Sequence, residues 1–167
     1  MAAPGDLDRD ASPGIVRAEA ESHYRKGYEE VEKAKKALGK GKAEDAKKKF
    51  GKALGKFEYA TELDPNYYQA WNMVGYCARQ QGDLKRAFAA YSKCLALEPE
   101  YEEAHEYLGE AYVMSGEIAK AKEQLAWLRS RDSKEAAELA ARIDAATRPP
   151  GTEAAVDSAA GESSKTP

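Results

Sequence analysis

The sequence predicts an all-α protein: a stack of antiparallel helix hairpins, the first lengthened by about a heptad, closed by one capping helix. Three observations lead there. Glycine-led turns, "GKAEDA" at Gly41, "GDLKRA" at Gly82 and "GEIAKA" at Gly116, each place alanine five residues after the glycine (Ala46, Ala87, Ala121). Four further on stands a larger side chain (Phe50, Tyr91, Leu125), and three beyond that Ala53, Cys94 and Leu128, the step pattern of one helix face. The second and third turns lie 34 residues apart, the first and second 41. The extra seven residues are almost two helical turns, so they lengthen a helix without rotating its buried face. Finally, the chain holds only eleven Leu, three Ile and five Val in 167 residues, leaning instead on alanine and tyrosine, which suits closely packed helices better than a β sandwich.

Taken in order, residues 1–11 and 148–167 are polar and rich in Pro, Gly, Ser and Ala, and both are expected to be disordered. Between them, 12–147 reads as a single helical domain with hairpins at about 12–64, 67–98 and 101–130 and a capping helix at 133–147. Ser12-Pro13 supplies an N-cap followed by proline in the first turn. Val16, Ala20, Tyr24, Gly27, Val31, Ala34 and Leu38 then form one stripe along a long helix that should stop at Gly39 and Gly41. The next helix repeats its own seam, with Ala53, Phe57 and Ala60 following Ala46, Phe50 and Ala53. Its two glycines, Gly51 and Gly55, read as points of close contact with the first helix. They cost about 1 kcal/mol each relative to alanine, so this helix should be the softest part of the stack. The last segment places Asp132 and Glu135 at capping-box spacing, with a narrow stripe of Ala136, Leu139, Ala140 and Ile143.

The middle hairpin carries Trp71, Val74, Gly75 and Ala78, then Ala87, Tyr91, Cys94 and Pro99, and it resembles the 34-residue tetratricopeptide repeat. The third offers His105, Leu108, Gly109, Tyr112, Ala121, Leu125 and Leu128, with histidine in the aromatic slot and no closing proline. The first matches in its second helix alone, through Ala46, Phe50, Ala53 and Pro65. The resemblance covers about 130 residues and implies a right-handed superhelix whose concave face, lined by the first helix of each hairpin, grips extended or helical peptides. Carried onto this sequence, that face comprises Gln69, Asn72, Met73, Tyr76, Arg79 and Gln80, then Glu103, Glu106, Tyr107 and Glu110, with Tyr28, Glu32 and Lys35 added by the first hairpin. The lysine and asparagine set with which some members clasp the C-terminal carboxylate of heat-shock chaperones is not reproduced. The acidic end of this groove points instead to a short basic or amide-rich segment.

The chemistry-bearing patterns of enzymes are missing. "HEYLG" lacks the second histidine of a zinc helix, "GKGKAEDAKKKF" lacks the order of a phosphate loop, and no serine or cysteine is flanked by an activating base. No cofactor is expected. Cys77 and Cys94 read as small buried thiols. The formal net charge is −3, yet residues 35–57 carry nine lysines against two acids. With both phenylalanines of that stretch facing inward, Lys47, Lys48, Lys49 and Lys52 fall on the outer side. They read first as a solvated face, second as a docking surface for an acidic protein, and last as a grip on nucleic acid or anionic lipid, which usually adds exposed aromatics. The sequence therefore points to a non-catalytic adaptor with a protein or peptide partner. The alternatives are a self-assembling scaffold subunit, hence a homo-oligomer, and polyanion or acidic-protein docking through the lysines. No run approaches the ~20 apolar residues of a membrane span. As written, the start has no signal peptide, so a cytoplasmic location is expected, or a periplasmic or secreted one if Met1 replaces a removed signal. The latter matches small exported bacterial proteins of this type.

Overall fold

In the computed structural model, residues 13–148 are described, and among them every regular element is a helix: α1 (Pro13–Leu38), α2 (Ala43–Leu63), α3 (Tyr68–Gln80), α4 (Leu84–Leu97), α5 (Glu102–Ser115), α6 (Ile118–Arg129) and α7 (Glu135–Thr147). Residues 1–12 and 149–167, which hold the Ser12 cap and all but Arg148 of the segments expected to be disordered, lie outside the described residues. Helices pair as α1 with α2, α3 with α4 and α5 with α6; α2 and α4 each pack on the following hairpin, and α7 closes against α5 and α6. The three hairpin turns share one device. Gly41, Gly82 and Gly116 stand at φ of 69°, 82° and 80°, a left-handed conformation that costs glycine nothing and other residues about 1 kcal/mol or more.

Three glycines inside first helices let a neighbour approach. A Cβ on Gly75 would lie 2.4 Å from the Tyr91 ring, one on Gly109 would lie 2.4 Å from Leu139, and one on Gly27 would lie 2.7 Å from the Phe57 ring. Gly27 and Phe57 thus do in the first hairpin what Gly75 and Tyr91 do in the second. The first hairpin is therefore lengthened in both helices, α1 as well as α2. The main core runs from Val31, Ala34 and Ala37 through Phe50, Ala53 and Phe57 to Met73, Val74 and Cys77. Further clusters centre on Tyr91 and Leu108, and on Leu125, Leu128, Leu139 and Ile143.

Three local expectations change. The stripe of α1 ends on Ala37, which is buried, while Leu38 is 47% exposed, because the last step is three residues rather than four. Gly51 and Gly55 are not contact points with α1. A Cβ on Gly55 would meet nothing within 4 Å, and one on Gly51 only the Gln81 side chain at 3.5 Å. Asp132 does not cap α7; it adopts φ 51°, and the Glu135 N–H is received by the Ser133 hydroxyl at 3.3 Å instead.

The aromatic slot behaves as the repeat requires. The Trp71 indole N–H donates to the Pro65 carbonyl at 2.9 Å. One unit later, His105 Nε2 meets the Pro99 carbonyl at the same 2.9 Å, and its ring stacks on Trp127 with centroids 3.5 Å apart. His105 is a structural substitute for an indole.

Candidate functional site

The first helices of the units, with α7 after them, bring one band of tyrosines and charges together. On α1, Tyr24 and Tyr28 lie 5.2 Å apart. On α3 and α5, the rings of Tyr76 and Tyr107 lie 5.2 Å apart, both half-buried. Between and behind them is Arg79, only 6% exposed, with its guanidinium 5.5 Å from each ring. Arg79 bonds Glu110 Oε2 at 2.6 Å and donates from Nε to the Tyr91 hydroxyl at 3.4 Å. Glu110 also accepts from Arg142 Nε at 2.9 Å, so α3, α5 and α7 are joined through one carboxylate. Beside this junction, Arg79, Gln80, Glu110, Val113, Met114 and Arg142 line a cleft of about 480 Å³.

The groups expected in the groove divide accordingly. Gln69, Tyr76, Gln80 and Tyr107 are half-buried and reachable. Glu103 is half-buried and accepts the Tyr101 hydroxyl at 2.7 Å. Arg79 and Glu110 are present but spent on each other. Met73 belongs to the core, packed in the cluster of Val31 and Phe50, and Asn72 is wholly buried with neither amide atom partnered among the described residues. Neither contributes accessible surface. From the first hairpin, Tyr28, Glu32 and Lys35 are exposed, the last two paired at 3.2 Å.

Glu106 stands apart. It is 3% exposed and makes no hydrogen bond or ion pair among the described residues. Burial above all, then the charges of Glu110, Glu138 and Glu135, push its carboxyl up to about 8, against the weaker pull of Arg79. The contributions of α7, namely Glu135, Glu138 and Arg142, are missed when α7 is read as a cap alone. Their signal in the sequence is the charged flank beside its apolar stripe.

In the lysine stretch, Phe50 and Phe57 are buried, and Lys47, Lys48 and Lys52 are exposed. Lys49 is half-buried against Asp45 at 3.3 Å. Behind the lysines, His23, Glu30, Gly51, Lys52, Gly55, Lys56 and Tyr59 border an open cleft of about 600 Å³. Cys77 and Cys94 are buried free thiols, each pushed up to about 12 by burial, and so poor nucleophiles. No described helix is long and apolar enough to cross a membrane.

Comparison with known proteins fits this architecture. Models of the family described as tetratricopeptide repeat match residues 31–101 and residues 78–143. A curated relative, the tetratricopeptide repeat-containing protein trd-1 of Caenorhabditis elegans, is 34% identical over 74 residues, or 44% of this chain. The chain covers 10% of that protein's length. Repeats of this kind form protein–protein interaction modules, and with its glycine-closed hairpins, aromatic slots and overlapping family matches, the chain belongs to the tetratricopeptide repeat family.

Proposed function

We propose that the chain is a non-catalytic adaptor that holds a short segment of another protein along the face formed by α1, α3, α5 and α7. The observation that carries this reading is the tyrosine pair Tyr76 and Tyr107, set 5.2 Å apart over the buried Arg79–Glu110 ion pair. Rings held this way offer rigid contact area that loses little entropy on binding. The charge near them selects the ligand. Glu110 is neutralised by two arginines and the free Glu106 is held protonated near neutral pH, so the acidic surplus falls to Glu103 and to Glu138 on α7, and a basic or amide-rich segment fits best. With so few units the affinity should be on the order of micromolar. One observation favours a second reading: Lys47, Lys48 and Lys52 are exposed and lack ion pairs among the described residues, as a docking face for an acidic protein would be.

The test is a pull-down from lysate, read by mass spectrometry, with three folded baits. They are the wild type, a groove variant (Tyr76→Ala, Glu106→Lys, Tyr107→Ala) and a face variant with Lys47, Lys48, Lys49 and Lys52 changed to Glu. A protein lost with the groove variant alone supports the adaptor reading. A protein lost with the face variant alone moves the function to the lysines, and proteins retained by both variants overturn the proposal.

A further inference from the structure

Resting on the reading of this face as a peptide groove, the geometry points to a specific seat within it: we propose that Glu106 receives one cationic side chain of the bound segment. Glu106 is 3% exposed as a residue, and its carboxyl has no hydrogen-bond or ion-pair partner among the described residues, an arrangement costly to a fold. Its neighbour Glu110 shows how the same helix satisfies such a group when it serves structure, with Arg79 at 2.6 Å and Arg142 at 2.9 Å. Glu106 has no such partner. The charged groups that face it are Glu110 on its own helix, Glu138 and Glu135 on α7, and Arg79 on α3. Three of those four are acids, and the arginine is already committed. The local field therefore favours a cation, and the guest must reach Glu106 end-on, as the apolar stem and charged tip of Lys or Arg allow. The preceding unit has Asn72 at the corresponding position of its first helix, also buried and without partners for its amide. Polar side chains without a partner among the described residues thus recur one repeat apart, at Asn72 on α3 and Glu106 on α5.

Because burial holds the free carboxyl protonated to about pH 8, seating a cation must expel that proton. Affinity for a basic segment should then fall as pH drops, to about tenfold weaker at pH 7 than at pH 9. An arginine in the ligand keeps its charge throughout, so this dependence belongs to Glu106.

A random dodecapeptide phage library, panned at pH 8.5 against the full chain, Glu106→Gln and Tyr107→Ala, tests this. The wild type should enrich peptides with Lys or Arg at one fixed position. Glu106→Gln should still select peptides but without that preference, and its winners should show no pH dependence between 7 and 9. A preference retained by Glu106→Gln, or affinity that rises as pH falls, overturns the seat while leaving the groove intact. Peptides that bind Tyr107→Ala as tightly as wild type overturn the groove reading itself. A second measurement needs no selected peptide. Titration of carboxyl-¹³C-glutamate protein with N-acetylarginine amide should lower the Glu106 midpoint, whereas neutral N-acetylcitrulline amide should not. An unmoved midpoint sinks the proposal.

Discussion

Glycine within the helices of this molecule does two opposite things, and substitution separates them. Gly75 makes room for the Tyr91 ring, which a Cβ would approach to 2.4 Å, so Gly75→Ala should cost about 2 kcal/mol net of any helix gain. Gly55 faces open space, so Gly55→Ala should stabilise by about 1 kcal/mol, and urea unfolding of both variants checks the contrast. Glu106 makes the other residue-scale prediction. Its folded-state carboxyl titrates near 8, above the ordinary value of 4.5, so the folded chain holds an extra proton between those limits. That contribution is fully present below pH 4.5 and is lost as pH rises through 8, so stability should fall by about 1.4 kcal/mol per pH unit across the window. Glu106→Gln should flatten the slope in melts at pH 5, 7 and 9.

At the scale of elements, α4 is, among the helices whose cap residue is described, the one whose N-cap side chain receives a backbone amide: Asp83 accepts the Arg86 N–H at 3.1 Å. Asp83→Ala should therefore cost about 1 kcal/mol, measured as a drop in the urea midpoint at unchanged slope. Helices and turns were legible because their signals are local. A glycine that must be left-handed and a four-then-three stripe survive in any context, as at Gly82 and along Ala87, Tyr91 and Cys94. The start of α7 was misread because Asp132 at capping-box spacing spends its backbone on a left-handed turn, leaving Ser133 as the nearer acceptor. The partnership of Gly27 with Phe57 was hidden because both helices between them are extended, which stretches the usual glycine-to-ring spacing. The candidate site was legible only as a set of positions. Which of them are open depends on long-range pairing: nothing near Glu110 announces that Arg79 and Arg142 will neutralise it, and nothing near Glu106 announces that no cation will.

For the molecule as a whole, stability rests on each unit being covered by the next, as in other stacked repeats. α7 covers the last one. Leu139 fills the space over Gly109, and with Ile143 it completes the cluster of Leu125 and Leu128. Ending the chain at residue 131 should expose that cluster, lower the melting temperature and produce association visible by light scattering. The opposite end is governed by α2, whose inner seam reads the same at two positions, Ala46–Phe50–Ala53 and Ala53–Phe57–Ala60. A surface that repeats every seven residues can be met by its partner at more than one offset. The side chains alone do not choose between Phe50 and Phe57 as the ring to lay over Gly27. What chooses is the tether: the short link from Leu38 to Ala43, pinned by Gly41 at φ 69°, leaves no slack for α2 to slide. A seven-residue Gly/Ser insertion after Gly41 should release that slack and give two slowly exchanging sets of amide signals for the first hairpin. The tolerance that let this hairpin grow thus makes its alignment ambiguous, and four residues of turn act as the lock.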